Sequence, residues 1–561
     1  MSAVLAENEV HQASIPVWLV WIVTFFFLAY GLGCYPILDN NEGLYAEIPR
    51  EMLASGDWRH WIIPHLNGLA YMEKPPLLYW LTAIFFAIFG EHEWSARMVP
   101  ALSALSCVAM ILWFGRQIGR VAASRLAALM FISGFGVMAM SRTLMFDMLL
   151  TVFFTGAVMA GYLFSLSGDK KKLNWSLGML AFALLAKGFV AIILFVAVTF
   201  TYTILFSSSV SDFLKRIIAW FNPKALGIFL LIALPWHIAA ILAEPIFAWF
   251  YFINEHVLRF LGKREPHDYY AGAWWYYLPR MVIYLFPWSF FLPVLLFVKA
   301  KKPSPRMLHL FLACAWIMPV LFFSVSSAKA NYYLVVVMPL AALQLAIALE
   351  DRQFGREWSR GLVGLVLALL FGALAWKAGK QGTSQFSSLL VYGMQSMQFL
   401  QAFMMSACVL SLGVALVVWR LPRFGIFPFA VIPALILVGL IGVLQAAAEW
   451  TSTQPLVAEL SATEARREVF LFKVFEHQSS LPFYLKKPVR VVESRSSDLF
   501  WGNKLHKNNI VVSDINFDKI TDQQLVSLIV LDEDMPSFND KKYASKFKNS
   551  KKIGRSTLFM N

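Results

Sequence analysis

Two adjoining stretches decide how this chain is read. The first is the apolar run at 17–34, VWLVWIVTFFFLAYGLGC. The second is the polar segment just beyond it, Asp39-Asn40-Asn41-Glu42-Gly43-Leu44-Tyr45-Ala46-Glu47-Ile48-Pro49-Arg50-Glu51-Met52. The run is long enough and apolar enough to cross a bilayer. What precedes it is polar and lacks the basic start and small-residue cleavage site of a signal peptide, so the run is expected to stay as a helix. The carboxylates of the second stretch then lie at the membrane surface, where an ionisable group needs a reason to be present.

Similar apolar runs recur near 97–115, 122–141, 148–166, 188–206, 225–243, 281–298, 307–325, 332–349, 361–376, 400–419 and 426–446, with a shorter one at 174–186. The composition agrees: 59% of the 561 residues are hydrophobic and 15% charged, with mean hydropathy +0.61, against about 25% charged in a soluble domain. The fold class expected is a polytopic α-helical membrane protein.

The net charge of +14 sits largely in short loops at Arg116/Arg120/Arg125, Lys170–Lys172, Lys215/Arg216/Lys224, Lys299–Arg306, Arg352/Arg356/Arg360 and Arg420/Arg423. Such loops face the cytoplasm. They all fall on one side if the tail 1–16 is cytoplasmic and the short run 76–89 lies at the outer surface as an interfacial or re-entrant helix. That gives thirteen spans over 17–446, outer loops at 35–96 and 244–280, and an outer segment 447–561. No basic stripe with interleaved aromatics suggests a nucleic-acid groove. Cys34, Cys107, Cys314 and Cys408 lie in or beside apolar runs and suggest no disulfide framework. From Thr451 the chain turns polar. β-branched or alternating stretches at 468–475, 488–492, 510–512 and 525–531, with helix-like segments between them, predict a small C-terminal α/β domain.

The outer segments hold the candidate chemistry. Glu47, Arg50 and Glu51 share a face and read as a surface helix with ion pairing. Asp39 and Glu42 precede it, and Asp39 either caps the helix or serves a site. Tyr71-Met72-Glu73-Lys74-Pro75-Pro76 puts a lysine at the head of an interfacial helix, where it either meets a lipid phosphate or snorkels. Arg142 and Asp147 lie in Ser141-Arg142-Thr143-Leu144-Met145-Phe146-Asp147, where Asp147 is an N-cap or joins Arg142 in a buried polar cluster. Lys187-Gly188 breaks two apolar stretches. The loop 244–280 carries Glu255, His256, Arg259, Lys263, Arg264 and the run Trp274-Trp275-Tyr276-Tyr277. Lys329, Tyr332 and Tyr333 follow in SSAKANYY. Cations beside aromatics suit an anionic lipid headgroup, and cations stabilise a departing phosphate. Glu73 and His256 offer two ligands for a divalent ion, too few to predict one. No P-loop, zinc-spacing motif or nucleophile elbow is present.

The segments NNEGLYAEIPREMLASGDW, YMEKPPLLYW, SRTLMFD, AKGFVAIIL, LPWHIA, NEHVLRFL and SSAKANYYLVVVMPLAAL occur in the order seen in bacterial GT-C glycosyltransferases. The chain resembles these relatives of the protein O-mannosyltransferases, which include the aminoarabinose transferase of lipid A. The resemblance covers roughly 17–350; beyond that the layout alone matches. It implies thirteen spans, an undecaprenyl-phosphate sugar donor, inversion at the anomeric carbon, and a periplasmic site in a bacterial inner membrane, with lipid A or another envelope glycan as acceptor. Lys74 and Arg259 would bind the donor phosphate, Lys329 with Tyr332 or Tyr333 would line the same pocket, and Asp147 would join the polar cluster; Tyr45, Glu73, Arg142, Lys187 and His256 complete the candidate pocket. Family members usually carry Asp-Glu where this chain has Asn41-Glu42, and Arg where it has Leu44. Either Glu42 or Asp39 then takes the base role, or the acceptor needs no base. The alternatives are transfer to a protein or polysaccharide hydroxyl, and a transporter of lipid-linked sugars.

Overall fold

The computed structural model describes residues 15–267, 272–297, 303–351, 357–380, 397–421, 426–462, 467–506 and 508–561. Residues 1–14 of the expected tail and the loop cations Lys299, Lys301, Lys302, Arg352, Arg356 and Arg423 lie outside the described residues.

Every one of the thirteen apolar runs forms helix. A chain in hydrocarbon must satisfy its backbone hydrogen bonds internally, and a helix does so without a partner segment. By length and composition seven helices suffice to cross a membrane, among them Met98–Gln117, Phe146–Ser167 and Pro223–Ala243. The run expected at 281–298 is not straight. It is two helical pieces, Tyr277–Tyr284 and Trp288–Phe297, bent by 119°, and counted as one span it raises the total to eight. Leu231, Leu242, Leu369 and Val409 stand exposed on helices, as lipid-facing positions must.

At one end of the bundle Arg120 pairs with Glu350 (3.0 Å) and Asp351 (2.7 Å), joining two of the basic loops. At the other end the three long segments meet. The helix Asn41–Ala54 is not a surface helix as expected. Glu47, Arg50 and Glu51 are all buried, with Arg50 forked onto both Glu47 oxygens at 2.6 Å. The helix is covered from two sides: Glu51 accepts from the Gly68 N–H at 3.0 and 3.1 Å, and the C-terminal segment packs so close that a Cβ on Gly43 would stand 2.5 Å from the Ser480 backbone nitrogen. The short run near 76–89 is the helix Leu77–Phe89, which packs against Asn41–Ala54.

A hairpin of β1 (His65–Leu66) and β2 (Leu69–Ala70) turns at Asn67, whose side chain exchanges two 2.7 Å hydrogen bonds with Val489. The C-terminal sheet comprises β3 (Glu468–Phe472), β4 (Arg490–Val492), β5 (Val511–Val512), β6 (Val526–Leu531), β7 (Asn549–Ile553) and β8 (Ser556–Met560). Its order is β5-β4-β3-β6-β8-β7, parallel from β5 to β6 and antiparallel beyond. The first four match the predicted strands. The β7–β8 hairpin was not predicted because β7, NSKKI, is an exposed polar edge with no apolar alternation. Phe470, Phe472, Val492, Phe517, Leu528 and Phe538 form the core of the domain.

Candidate active site

A cavity of about 1070 Å³ opens where the bundle end, the 244–280 loop and the C-terminal sheet converge. One wing is apolar, lined by Phe189, Val190, Ile193, Phe252, Phe322 and Phe323; the other is ionic. Of the residues proposed from sequence, Asn41, Tyr45, Glu73, Lys74, Asp147, Lys187, His256, Arg259, Tyr332 and Tyr333 all line it.

The ionic wing is built around Glu255. Residues Trp249–Leu258 wind as a π-helix, a geometry that recurs at functional sites. Glu255 Oε2 lies 3.0 Å from Arg259 Nη1 and 3.5 Å from Lys74 Nζ, and Glu255 Oε1 pairs with Arg264 Nε. Arg264 Nη2 also meets Glu73 Oε1 at 2.6 Å. Lys74, Arg259 and Arg264 thus converge at the wall of the cavity, where an incoming anion can meet them. Burial works to raise the Glu255 pKa, but Arg264, Lys74 and Arg259 outweigh it and hold the carboxyl well below its usual range.

Asp147, in the first turn of Phe146–Ser167, is not a cap; its carboxylate pairs with Lys187. Lys187 ends its helix and lies 4.6 Å from the Tyr333 ring and 5.3 Å from the Tyr332 ring, close enough for cation–π attraction. Gly188, at φ +92°, lets the chain turn beside His256: a Cβ there would meet His256 Nε2 at 2.6 Å. His256 Nε2 accepts from the Phe189 N–H (3.1 Å) while Nδ1 faces the Tyr251 carbonyl at 2.5 Å. Both ring nitrogens are therefore engaged and no lone pair is left for a metal. Its pKa is lowered, chiefly by burial. Among the described residues no group of three or more His, Cys, Asp or Glu side chains is arranged to hold a metal ion.

Four proposed residues do not line the cavity. Glu42 is locked to Arg97 (2.9 and 3.0 Å) and accepts from the Leu38 and Leu144 N–H groups; with its oxygens saturated it has no lone pair directed at a substrate. Asp39 does not cap its helix. It accepts from the Ser480 N–H (3.1 Å) and hydroxyl (2.7 Å) and from Arg555 (3.0 Å), tying the loop to the C-terminal domain. Burial pushes its carboxyl up to about 6 despite Arg555. Arg142 is buried away from Asp147, donating to the carbonyls of Tyr30 (2.9 Å), Met138 (2.8 Å) and Phe27. Lys329 donates to the carbonyls of Ser324 (2.8 Å) and Ser326 (2.7 Å).

The cavity also gathers residues that the sequence reading did not place there. Tyr71 OH lies 3.4 Å from Glu73 Oε2 and 3.3 Å from Asp498 Oδ1. Glu476, His477, Arg495 and Asp498 reach it from the C-terminal domain. Burial, then the nearby Glu73 and Glu476, push the Asp498 carboxyl well above its usual range against the pull of Arg264 and Lys74. No local pattern in SRSSD announces this; the segment acquires its role through the docking of the domain.

Residues 73–238 match the family model described as dolichyl-phosphate-mannose-protein mannosyltransferase. The chain is 32% identical over 398 residues to the undecaprenyl phosphate-alpha-4-amino-4-deoxy-L-arabinose arabinosyl transferase of Yersinia pestis (strain Pestoides F), covering 67% of each chain. The chain belongs to this arabinosyl transferase family. The transferase of the same name from Aeromonas salmonicida (strain A449) is also 32% identical, over 63% of this chain and 66% of its own length, so the chain spans just under two thirds of that relative. The fold of the arabinosyl transferases extends across the whole chain. The crystal structure of ArnT from Cupriavidus metallidurans bound to undecaprenyl phosphate superposes with a TM-score of 0.78 at 21% identity, covering 97% of both chains.

Proposed function

We propose that this protein is an inverting glycosyltransferase that moves a sugar from undecaprenyl phosphate to lipid A or another cell-envelope acceptor. Its relatives' names give the sugar as aminoarabinose. The observation that carries the reading is the cavity itself: an apolar wing for a polyprenyl chain, ending at Lys74, Arg259 and Arg264, cations placed together at its ionic wall. In the reaction an acceptor oxygen forms a bond to the anomeric carbon from the face opposite the donor phosphate. The bond to the phosphate oxygen breaks, and its electron pair leaves with undecaprenyl phosphate, whose charge the three cations stabilise. Asn41, with no carboxylate to offer, suits a phosphate acceptor that is already ionised. The N-terminus is assigned to the cytoplasm, and the thirteen apolar helices cross an inner membrane. The site and the domain 447–561 then face the periplasm. No metal role is assigned to His256.

Mass spectrometry of lipid A from cells with and without the gene tests this reading. A sugar-sized mass lost on deletion supports it; unchanged lipid A redirects it to a second acceptor class. That second reading, transfer to a protein or glycan hydroxyl, is favoured by Asp498, a carboxylate that lines the cavity and can take the acceptor's proton when ionised. Under it Asp498→Asn abolishes transfer to the hydroxyl acceptor; retained transfer there removes it.

A further inference from the structure

The C-terminal sheet meets the cavity with a particular edge. The chain runs outward from β3 to β4 and β5, then returns to lay β6 on the other side of β3. Strand order therefore reverses between β3 and β6, and open parallel sheets hold ligands outside the carboxyl ends of their strands; here the carboxyl ends that face the cavity are those of β3, at the reversal, and of its neighbour β4. Val474, Glu476 and His477 follow β3, and Arg495, Ser497 and Asp498 follow β4; all six line the cavity.

These two segments are laced together. The Lys473 N–H donates to Val492 O and the Arg495 N–H to Lys473 O, each at 2.9 Å. The Ser497 hydroxyl and the Asp498 N–H both donate to Glu476 Oε1, at 3.2 and 3.0 Å. Lys473 (φ 64°) and Glu493 (φ 51°) hold left-handed backbone, which non-glycine residues adopt at a cost and which clusters where a loop is shaped for a task.

The charges of the crevice are not equivalent. Lys473 pairs with Asp534 at 3.5 Å and His477 with Glu533 at 3.0 Å. Within the cavity lining, Lys74, Lys187, Arg259 and Arg264 each pair with a carboxylate. Arg495 is different: among the described residues it lines the cavity with no carboxylate on its guanidinium. It sits at the exposed mouth, where a large headgroup enters.

We propose that this strand-end crevice is the acceptor-side phosphate subsite, with Arg495 binding the phosphate group of the acceptor lipid. The identity of that acceptor rests on the transferase reading above. A guanidinium fork matches two phosphate oxygens at once, and the donor phosphate has its own cations at Lys74, Arg259 and Arg264. The domain thereby supplies acceptor recognition, and the bundle supplies the donor site.

Binding separates the subsite from catalysis. Full-length wild type, Arg495→Ala and Arg495→Lys are compared in nanodiscs with three probes: lipid A, lipid A after phosphatase treatment, and undecaprenyl phosphate. Arg495→Ala is expected to bind lipid A about tenfold more weakly and to match wild type on the other two probes, with Arg495→Lys recovering part of the loss. Unchanged lipid A binding by Arg495→Ala overturns the proposal. So does an equal loss for the dephosphorylated lipid, or a loss confined to undecaprenyl phosphate. Failure of the transferase reading shows separately, as no sugar moved by wild type that does bind lipid A.

Discussion

Glu42 and Glu255 both meet arginine in the interior at the same end of the bundle, yet only Glu255 borders space that a ligand can enter. Around Glu42 every valence is used. Arg97 forks onto the carboxylate and spends its remaining donors on the carbonyls of Leu32, Tyr35 and Pro36, and two backbone N–H groups complete the oxygens. Around Glu255 three cations share two carboxylates at the wall of a cavity. A saturated cluster holds the chain in place, whereas a cluster of cations that borders a cavity can meet an anion. The residue types are the same, and the difference lies in access to the cavity.

The largest test of that contrast is Glu42→Gln. Stranding Arg97 in the interior should cost about 3–5 kcal/mol of stability, read as a large drop in the thermal midpoint, while transfer per folded molecule changes little. Normal stability with abolished transfer would reverse the assignment and restore Glu42 as the base. Next comes Arg259→Ala, which should lower transfer by about 10²–10³-fold in a protein that unfolds near the wild-type temperature; full activity would remove the donor-phosphate role.

Asp39 lies between the two kinds, buried but tied to another domain. Its folded pKa is raised above the unfolded value, so the stability linked to it is fully present below about pH 4 and is lost as pH rises through about 6. Asp39→Asn, which cannot ionise, should flatten that stretch of the stability–pH curve by on the order of 3 kcal/mol. Parallel curves would show that the carboxylate is as well solvated folded as unfolded. The smallest effect is expected from Gly188→Ala. It should cost about 1–2 kcal/mol through the left-handed backbone and the approach to His256, checked by thermal unfolding; an unchanged midpoint would mean that this turn relaxes freely.

The contrast also explains what was legible in the sequence. Apolar runs announce helices because each satisfies its own backbone, so all thirteen were readable, as were four strands of the C-terminal sheet. The bend between Tyr284 and Trp288 did have a signal, Pro287, which has no N–H to give the helix, but the apolar run on both sides of it reads as one span. Lys74, Asp147, Lys187 and Arg259 were readable as candidates because charges beside apolar runs are rare. Glu42 carried the same signal and turned out to be saturated, because its partner Arg97 is distant in sequence and marked by no motif. Arg495 and Asp498 carried no signal at all: polar residues in a polar segment look alike until docking brings some of them to a cavity.

The tie between Asp39 and the pair Ser480 and Arg555 has a consequence for how the protein is made. Asp39 is synthesised 441 residues before Ser480 and 516 residues before Arg555, the groups that hold its loop. At roughly 5–20 residues per second, that interval is on the order of a minute. Throughout it Asp39 lacks the groups that later hold it. The loop must therefore keep its place without that tie until the C-terminal domain docks.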